Sequence, residues 1–178
     1  MTTYKREPLE EDEVEALRRG CRSFEEELAI NLLLETGMRV SELANLNEDQ
    51  ISWQRSCIIT IGKGNKRRVI PMSNKAREYL TQCFTRGVYN FPLAARTIQK
   101  YVKIVADRAR IRKKVSPHVL RHTFAVRYLH KGGNIRALQG ILGHSSLITT
   151  DMYLNYSGQM VIEDFQKIWE KDAKQNTN

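Results

Sequence analysis

Apolar residues recur at helical spacing through most of this chain, and the period shifts toward alternation in one region only. Residues from about Glu10 to Cys21 read as a first helix with Val14, Leu17 and Cys21 on its inner side. Acidic residues crowd its first turn, where they complement the helix dipole. A second helix, Phe24 to Glu35, carries Leu28, Ile30, Leu32, Leu33 and Leu34 and stops at Thr36-Gly37. A short helix, Val40 to Asn45, follows, and then the capping-like Asn47-Glu48-Asp49. The period then changes. Cys57 to Ile61 is β-branched and short, and Arg67 to Pro71 reads as its partner strand. Gly62 to Lys66 is the connecting turn, and Ile51 to Arg55 reads as a weaker preceding strand. Helices resume at Lys75 to Phe84, Ala94 to Arg110, Ser116 to His130 and Ile135 to Leu142, with Gly143 closing the last of these. Ser145 to Asn155 holds a short helix and Gly158 breaks it. Gln159 to Trp169 is an amphipathic helix with Met160, Val161, Phe165, Ile168 and Trp169 along one side. The predicted class is α+β, mostly helical, with a small antiparallel sheet at one edge.

Composition adds bounds. A chain of 178 residues with 41% hydrophobic residues suits one compact domain with a real core. No apolar run is long enough to span a membrane. The opening MTTYKREPLEEDE is charged and does not read as a signal peptide. Cys21, Cys57 and Cys83 are far apart and form no CxxC pair, so they read as reduced, mostly buried thiols of a cytoplasmic protein. The net charge of +9 is unevenly spread. Residues 1–62 carry −6, residues 63–136 carry +17 and residues 137–178 carry −2. A basic block of that size, interleaved with apolar residues at helical spacing, predicts a polyanion-binding face.

The candidate chemistry centres on Ser116 to Ala125, SPHVLRHTFA. Ser116 reads as an N-cap with Pro117 at the first helical position. His118, Arg121 and His122 then lie on or near one face. An imidazole beside a guanidinium fork can hold a phosphate and move a proton; a surface helix with scattered polar residues is the alternative. Zinc fits less well, because the metalloprotease pattern needs Glu where Val119 stands.

Three further pieces join this one: Thr36 to Leu43 (TGMRVSEL), Gly62 to Arg67 (GKGNKR) and Leu142 to Tyr153 (LGHSSLITTDMY). With His118 to His122 (HVLRH), in this order, they resemble the catalytic domain of tyrosine recombinases, the lambda-type integrases and their chromosome-dimer-resolving relatives. The resemblance implies that family's catalytic-domain fold across residues 1–178. It also implies a docking helix over about 159–170; the terminal residues 171–178 read as a disordered tail. The chain opens at the first helix of that domain, so the family's N-terminal core-binding domain is expected to be absent.

The resemblance also assigns roles. Arg39 and Arg121 match the two active-site arginines, whose forks would clamp the non-bridging oxygens of a phosphodiester. Lys63 matches the hairpin lysine that protonates the leaving 5′ oxygen; Lys66 on the same turn is its rival and is assigned to the DNA backbone. His118 would help move the nucleophile's proton, and His144 would hydrogen-bond the scissile phosphate. Tyr153, nine positions beyond His144, matches the nucleophile, with Tyr156 as the competitor. Glu42 matches an acidic position that orients an active-site arginine or histidine. His122 is assigned to packing. Arg67, Arg68, Lys113 and Lys114 complete the expected DNA contacts.

The expected activity is site-specific DNA strand breakage and rejoining through a covalent 3′-phosphotyrosine, with no cofactor and no metal. The expected partner is double-stranded DNA, bound as a homo-oligomer that forms a tetrameric synapse in a full-length member. Without DNA the chain is expected to be monomeric, and no membrane is involved. Two rival readings stay open at this stage: type IB topoisomerase-like nicking and resealing, and a non-catalytic DNA-binding fragment.

Overall fold

Among the described residues, seven helices and a three-stranded sheet form in the order that the apolar pattern predicts. The computed structural model describes residues 7–61, 67–84 and 88–143. The elements are α1 (Glu11–Arg19), α2 (Phe24–Thr36), α3 (Val40–Ala44), a 3₁₀ turn (Glu48–Gln50), β1 (Ile51–Ser52), β2 (Cys57–Ile61), β3 (Arg67–Pro71), α4 (Asn74–Cys83), α5 (Ala95–Arg108), α6 (Pro117–His130) and α7 (Ile135–Leu142). The predicted helix at Ser145 to Asn155, the amphipathic helix over 159–170 and the tail lie outside the described residues.

The α2 helix is apolar on every side, with Leu28, Ala29, Ile30, Leu32, Leu33 and Leu34 all buried. A helix of that kind belongs in the middle of a core. It packs against α1, α3, α4, α5 and α6. The Ser23 hydroxyl caps its start by accepting the Glu26 N–H, and Gly37 ends it in the left-handed conformation at φ 61°. A smaller apolar cluster, Ala125, Val126, Leu129, Leu138 and Leu142, joins α6 to α7.

The sheet is antiparallel in the order β1-β2-β3. Ile58 pairs with Ile70 and Thr60 with Arg68. β1 is only two residues long, because Trp53 to Ser56 turn the chain and Ser56 sits at φ 49°. The predicted extension to Arg55 therefore does not form. α5 stops short of the predicted Arg110 for a similar reason: Arg110 takes a left-handed φ of 55°, which a helix cannot continue through. The β3 strand packs on α7, so the sheet edge meets the helix that ends two residues before His144.

Candidate active site

The centre of the site is the carboxylate of Glu42, in the first turn of α3. Its Oε2 accepts the Arg39 backbone N–H at 2.7 Å, and its Oε1 accepts Arg39 Nη1 at 2.9 Å. Arg68 reaches the same group from β3, donating Nη1 to Oε1 and Nη2 to Oε2, each at 2.9 Å. Arg121 approaches from α6, its Nη1 4.0 Å from Glu42 Oε2. Three guanidinium groups from three elements thus surround one carboxylate. Burial pushes the Glu42 carboxyl up, but the hydrogen bonds from Arg68 and from the Arg39 backbone outweigh it, and the group is held below the usual Glu value. Glu42 is therefore an anion at neutral pH and can serve as a fixed anchor for cations.

Arg121 is held by two carbonyls: Nη1 donates to Gly37 O and Nη2 to Leu142 O, both at 2.6 Å. These are the C-terminal ends of α2 and α7, where helical carbonyls lack partners within the helix. Gly37 makes the approach possible, because a Cβ there would lie 2.3 Å from Phe124 Cδ1, on the same helix as Arg121. Arg39 differs in exposure. Its side chain keeps 42% of its surface, against 8% for Arg121. A preheld interior fork beside a solvent-facing one leaves donors on Arg39 open to an incoming anion.

The other predicted residues scatter more widely. Ser116 caps α6 by accepting the Val119 N–H, with Pro117 at its first turn, as the sequence indicates. His118 is exposed on that turn. It lines a cleft of about 420 Å³ with Lys103, Lys113, Lys114 and Asp107. His122 is buried, and desolvation lowers its pKa, so its ring is neutral at physiological pH. Arg67 is exposed beside an open cleft lined by Asn47, Asp49, Gln50, Ile59 and Ile61. Arg68, expected as a DNA contact, is buried and bonded to Glu42. Lys113 is tied to α1, its Nζ donating to Glu13 Oε2 at 2.7 Å and to Pro8 O at 3.1 Å. Lys114 is exposed. Lys63, Lys66, His144, Tyr153 and Tyr156 lie outside the described residues.

Two features escape the sequence reading. Arg96, Lys100 and Lys103 form an exposed stripe on α5 opposite the buried Ile98, Val102 and Val105; their spacing on the solvent side of an amphipathic helix was the available signal. The basic block is also partly neutralised from a distance. Arg108 pairs with Glu26, Lys113 with Glu13, Arg127 with Glu11 and Arg68 with Glu42. Cys57 and Cys83 are buried and Cys21 half-buried, all as free thiols; burial pushes Cys21 and Cys83 up to about 11, which makes them poor nucleophiles. Among the described residues, no three His, Cys, Asp or Glu side chains gather into a metal-binding group, and no helix is long and apolar enough to cross a membrane.

Comparison with known proteins gives concordant results. The model of the phage integrase family matches residues 7–160. A tyrosine recombinase of Pseudothermotoga lettingae is 37% identical over 158 residues, covering 81% of this chain and 54% of that protein. Tyrosine recombinase XerD of Staphylococcus saprophyticus is 32% identical over 154 residues, covering 78% and 52%. Among solved structures, XerA recombinase superposes with a TM-score of 0.75 at 32% identity, over 90% of this chain and 64% of that one. The catalytic domain of bacteriophage HP1 integrase gives 0.69 at 28% identity, over 89% and 93%. The chain thus spans about half the length of the curated relatives it matches.

Proposed function

Since the chain belongs to the phage integrase family, we propose that it is the catalytic part of a site-specific DNA recombinase that cuts and rejoins strands through a phosphotyrosine. The observation that carries this reading is the convergence of Arg39 and Arg121, from α3 and α6, on the single carboxylate of Glu42. One exposed fork and one buried fork at a common anchor suit a phosphodiester, whose two non-bridging oxygens gain negative charge as a fifth oxygen adds to phosphorus.

In this mechanism the Tyr153 oxygen attacks the scissile phosphorus. A tyrosine–phosphorus bond forms, the bond to the 5′ oxygen breaks, and a 3′-phosphotyrosine remains. A phenol of pKa about 10 is a weak nucleophile at neutral pH, so its proton must leave as the bond forms. His118 takes that proton, Lys63 supplies one to the departing 5′ oxygen, and Arg39, Arg121 and His144 hold the phosphate. Attack by a 5′ hydroxyl reverses the sequence. The ester conserves the bond energy, so the cycle needs no nucleotide cofactor. A tetrameric synapse on DNA, and a monomer without it, extend the same reading. So does the proposal that the 159–170 helix docks on its own or a neighbouring protomer.

The test is covalent trapping. The chain is incubated with a pool of nicked duplexes of randomised sequence, and adducts that survive denaturing electrophoresis are recovered. The expected result is a protein–DNA adduct lost in Arg39→Ala and Arg121→Ala. Absence of any adduct refutes strand cleavage by this chain, and relaxation of supercoiled DNA without recombinant product would move the reading to a topoisomerase-like activity.

A further inference from the structure

The alternation of β3 decides which way its arginines face. Arg67, Val69 and Pro71 are exposed, while Arg68 and Ile70 are buried. Only 5% of the Arg68 side chain remains accessible. Its fork spans both oxygens of Glu42, and its Nη1 also donates to Leu142 O at 3.1 Å. Arg121 donates to that same carbonyl. A lysine could not reproduce this, since an ammonium is a point charge without the planar fork that fits a carboxylate in bidentate fashion. The surroundings are shaped for the group as well. Gly143 has φ 65°, and a Cβ on it would lie 2.8 Å from both Arg68 Cδ and Arg68 Nη1.

What Arg68 joins is more telling than what it touches. β3 begins four residues after Lys63. Glu42 sits three residues after Arg39, and Leu142 ends α7 two residues before His144. Arg121, on α6, shares the Leu142 carbonyl. Four chain segments that carry members of the proposed catalytic set therefore meet at one interior guanidinium or at its acceptor.

We propose that Arg68 is a positioning residue for strand cleavage, the tie that fixes Glu42 and the end of α7 so that the phosphate-binding arginines are held in register; it is not a DNA contact. The proposal rests on the strand-cleavage reading above. Its signature is a change in rate without a change in grip. On a nicked duplex recovered from the trapping pool, Arg68→Gln should slow covalent-complex formation at saturating protein by about ten- to a hundredfold. Affinity for duplex DNA and its salt slope should match wild type. Arg68→Lys keeps the charge but not the fork, and should stay nearer to Arg68→Gln than to wild type.

Among the described residues the charged groups facing Glu42 are Arg39, Arg68 and Arg121, and with Arg39 and Arg121 left in place, removing Arg68 should move the acid limb of the cleavage rate to higher pH. A salt slope reduced by about one would instead make Arg68 a phosphate contact and overturn the proposal. So would a lower yield of adduct formed at the wild-type rate with an unmoved pH limb, the mark of a purely structural role. Amide exchange in the DNA-free protein is independent of cleavage. The amides of Leu43, next to Glu42, and of Gly143 donate to Arg39 O and Gln139 O, and both should lose protection together in Arg68→Gln. If the wild-type chain forms no adduct, the strand-cleavage reading fails while the exchange result still decides whether Arg68 is the tie; unchanged protection at both amides refutes it.

Discussion

Gly37 is the position where one added carbon should do most harm, and the structure allows the cost to be worked out. The residue sits at φ 61°, and its missing Cβ would lie 2.3 Å from Phe124 Cδ1 and 2.7 Å from Cε1. Gly37→Ala therefore carries two separate penalties. Holding an L-residue in the left-handed region costs roughly 1–2 kcal/mol. Forcing a ring aside in a packed core costs roughly 1–3 kcal/mol more, and Phe124 is packed against both apolar clusters. The expected loss is about 2–5 kcal/mol, seen in urea unfolding as a lower midpoint at unchanged slope. The steric part should disappear when the ring is removed. In a cycle with Phe124→Ala, the two substitutions should couple favourably by about 1–3 kcal/mol, leaving only the backbone strain. The same displacement would pull the Gly37 carbonyl from Arg121 Nη1, now 2.6 Å away, so the folded fraction should also cleave DNA more slowly. A Gly37→Ala protein within about 0.5 kcal/mol of wild type, or an additive cycle, would refute the argument.

Other consequences can be checked independently. Glu42 has a folded pKa below its usual value, so its contribution to stability should be complete above about pH 4.3 and fade as pH falls through the folded value. Thermal melts across that range should flatten in Glu42→Gln, and an unchanged pH profile counts against the guanidinium cluster. Thr123 Oγ1 accepts the Leu9 N–H at 2.9 Å in a fully buried setting and donates to Val119 O at 2.8 Å. Thr123→Val should thus cost about 1–3 kcal/mol in urea unfolding by stranding a buried donor, and a cost near zero would contradict that assignment. Duplex binding should weaken steeply with salt, and Lys103→Gln on the exposed side of α5 should lower the slope by about one; an unchanged slope removes α5 from the DNA face.

Much of this arrangement is written locally in the sequence. The Ser116-Pro117 start, the Gly37 and Gly143 stops and the two β-branched strands all depend on neighbours in the chain, and each forms where the sequence places it. The predicted α+β class with a small antiparallel sheet is likewise the observed one. Arg68 shows what a motif reading misses. Taken with Arg67 and Lys66 it looks like one more surface cation, yet strand alternation places it beside Ile70, on the inner side. The charge blocks are altered by pairing across the fold. Lys113 finds Glu13 across 100 positions and Arg127 finds Glu11 across 116, so part of the charge counted along the block is offset by acidic residues from the first helix. His118 and His122 share helical spacing but not environment, because His118 is exposed on the first turn of α6 and the next turn is buried in the core. Periodicity names a face; it does not say what the face meets.

Under the proposed function, a tyrosine of this chain becomes joined to DNA through a 3′ phosphate. Mass spectrometry of protease- and nuclease-digested adducts from the nicked-duplex pool reads this directly. The expected result is one modified peptide, spanning Leu142 to Asn155, with the nucleotide phosphate on Tyr153, and no adduct from Tyr153→Phe protein that still binds DNA. Modification at Tyr156, or an adduct that persists in Tyr153→Phe, would contradict it.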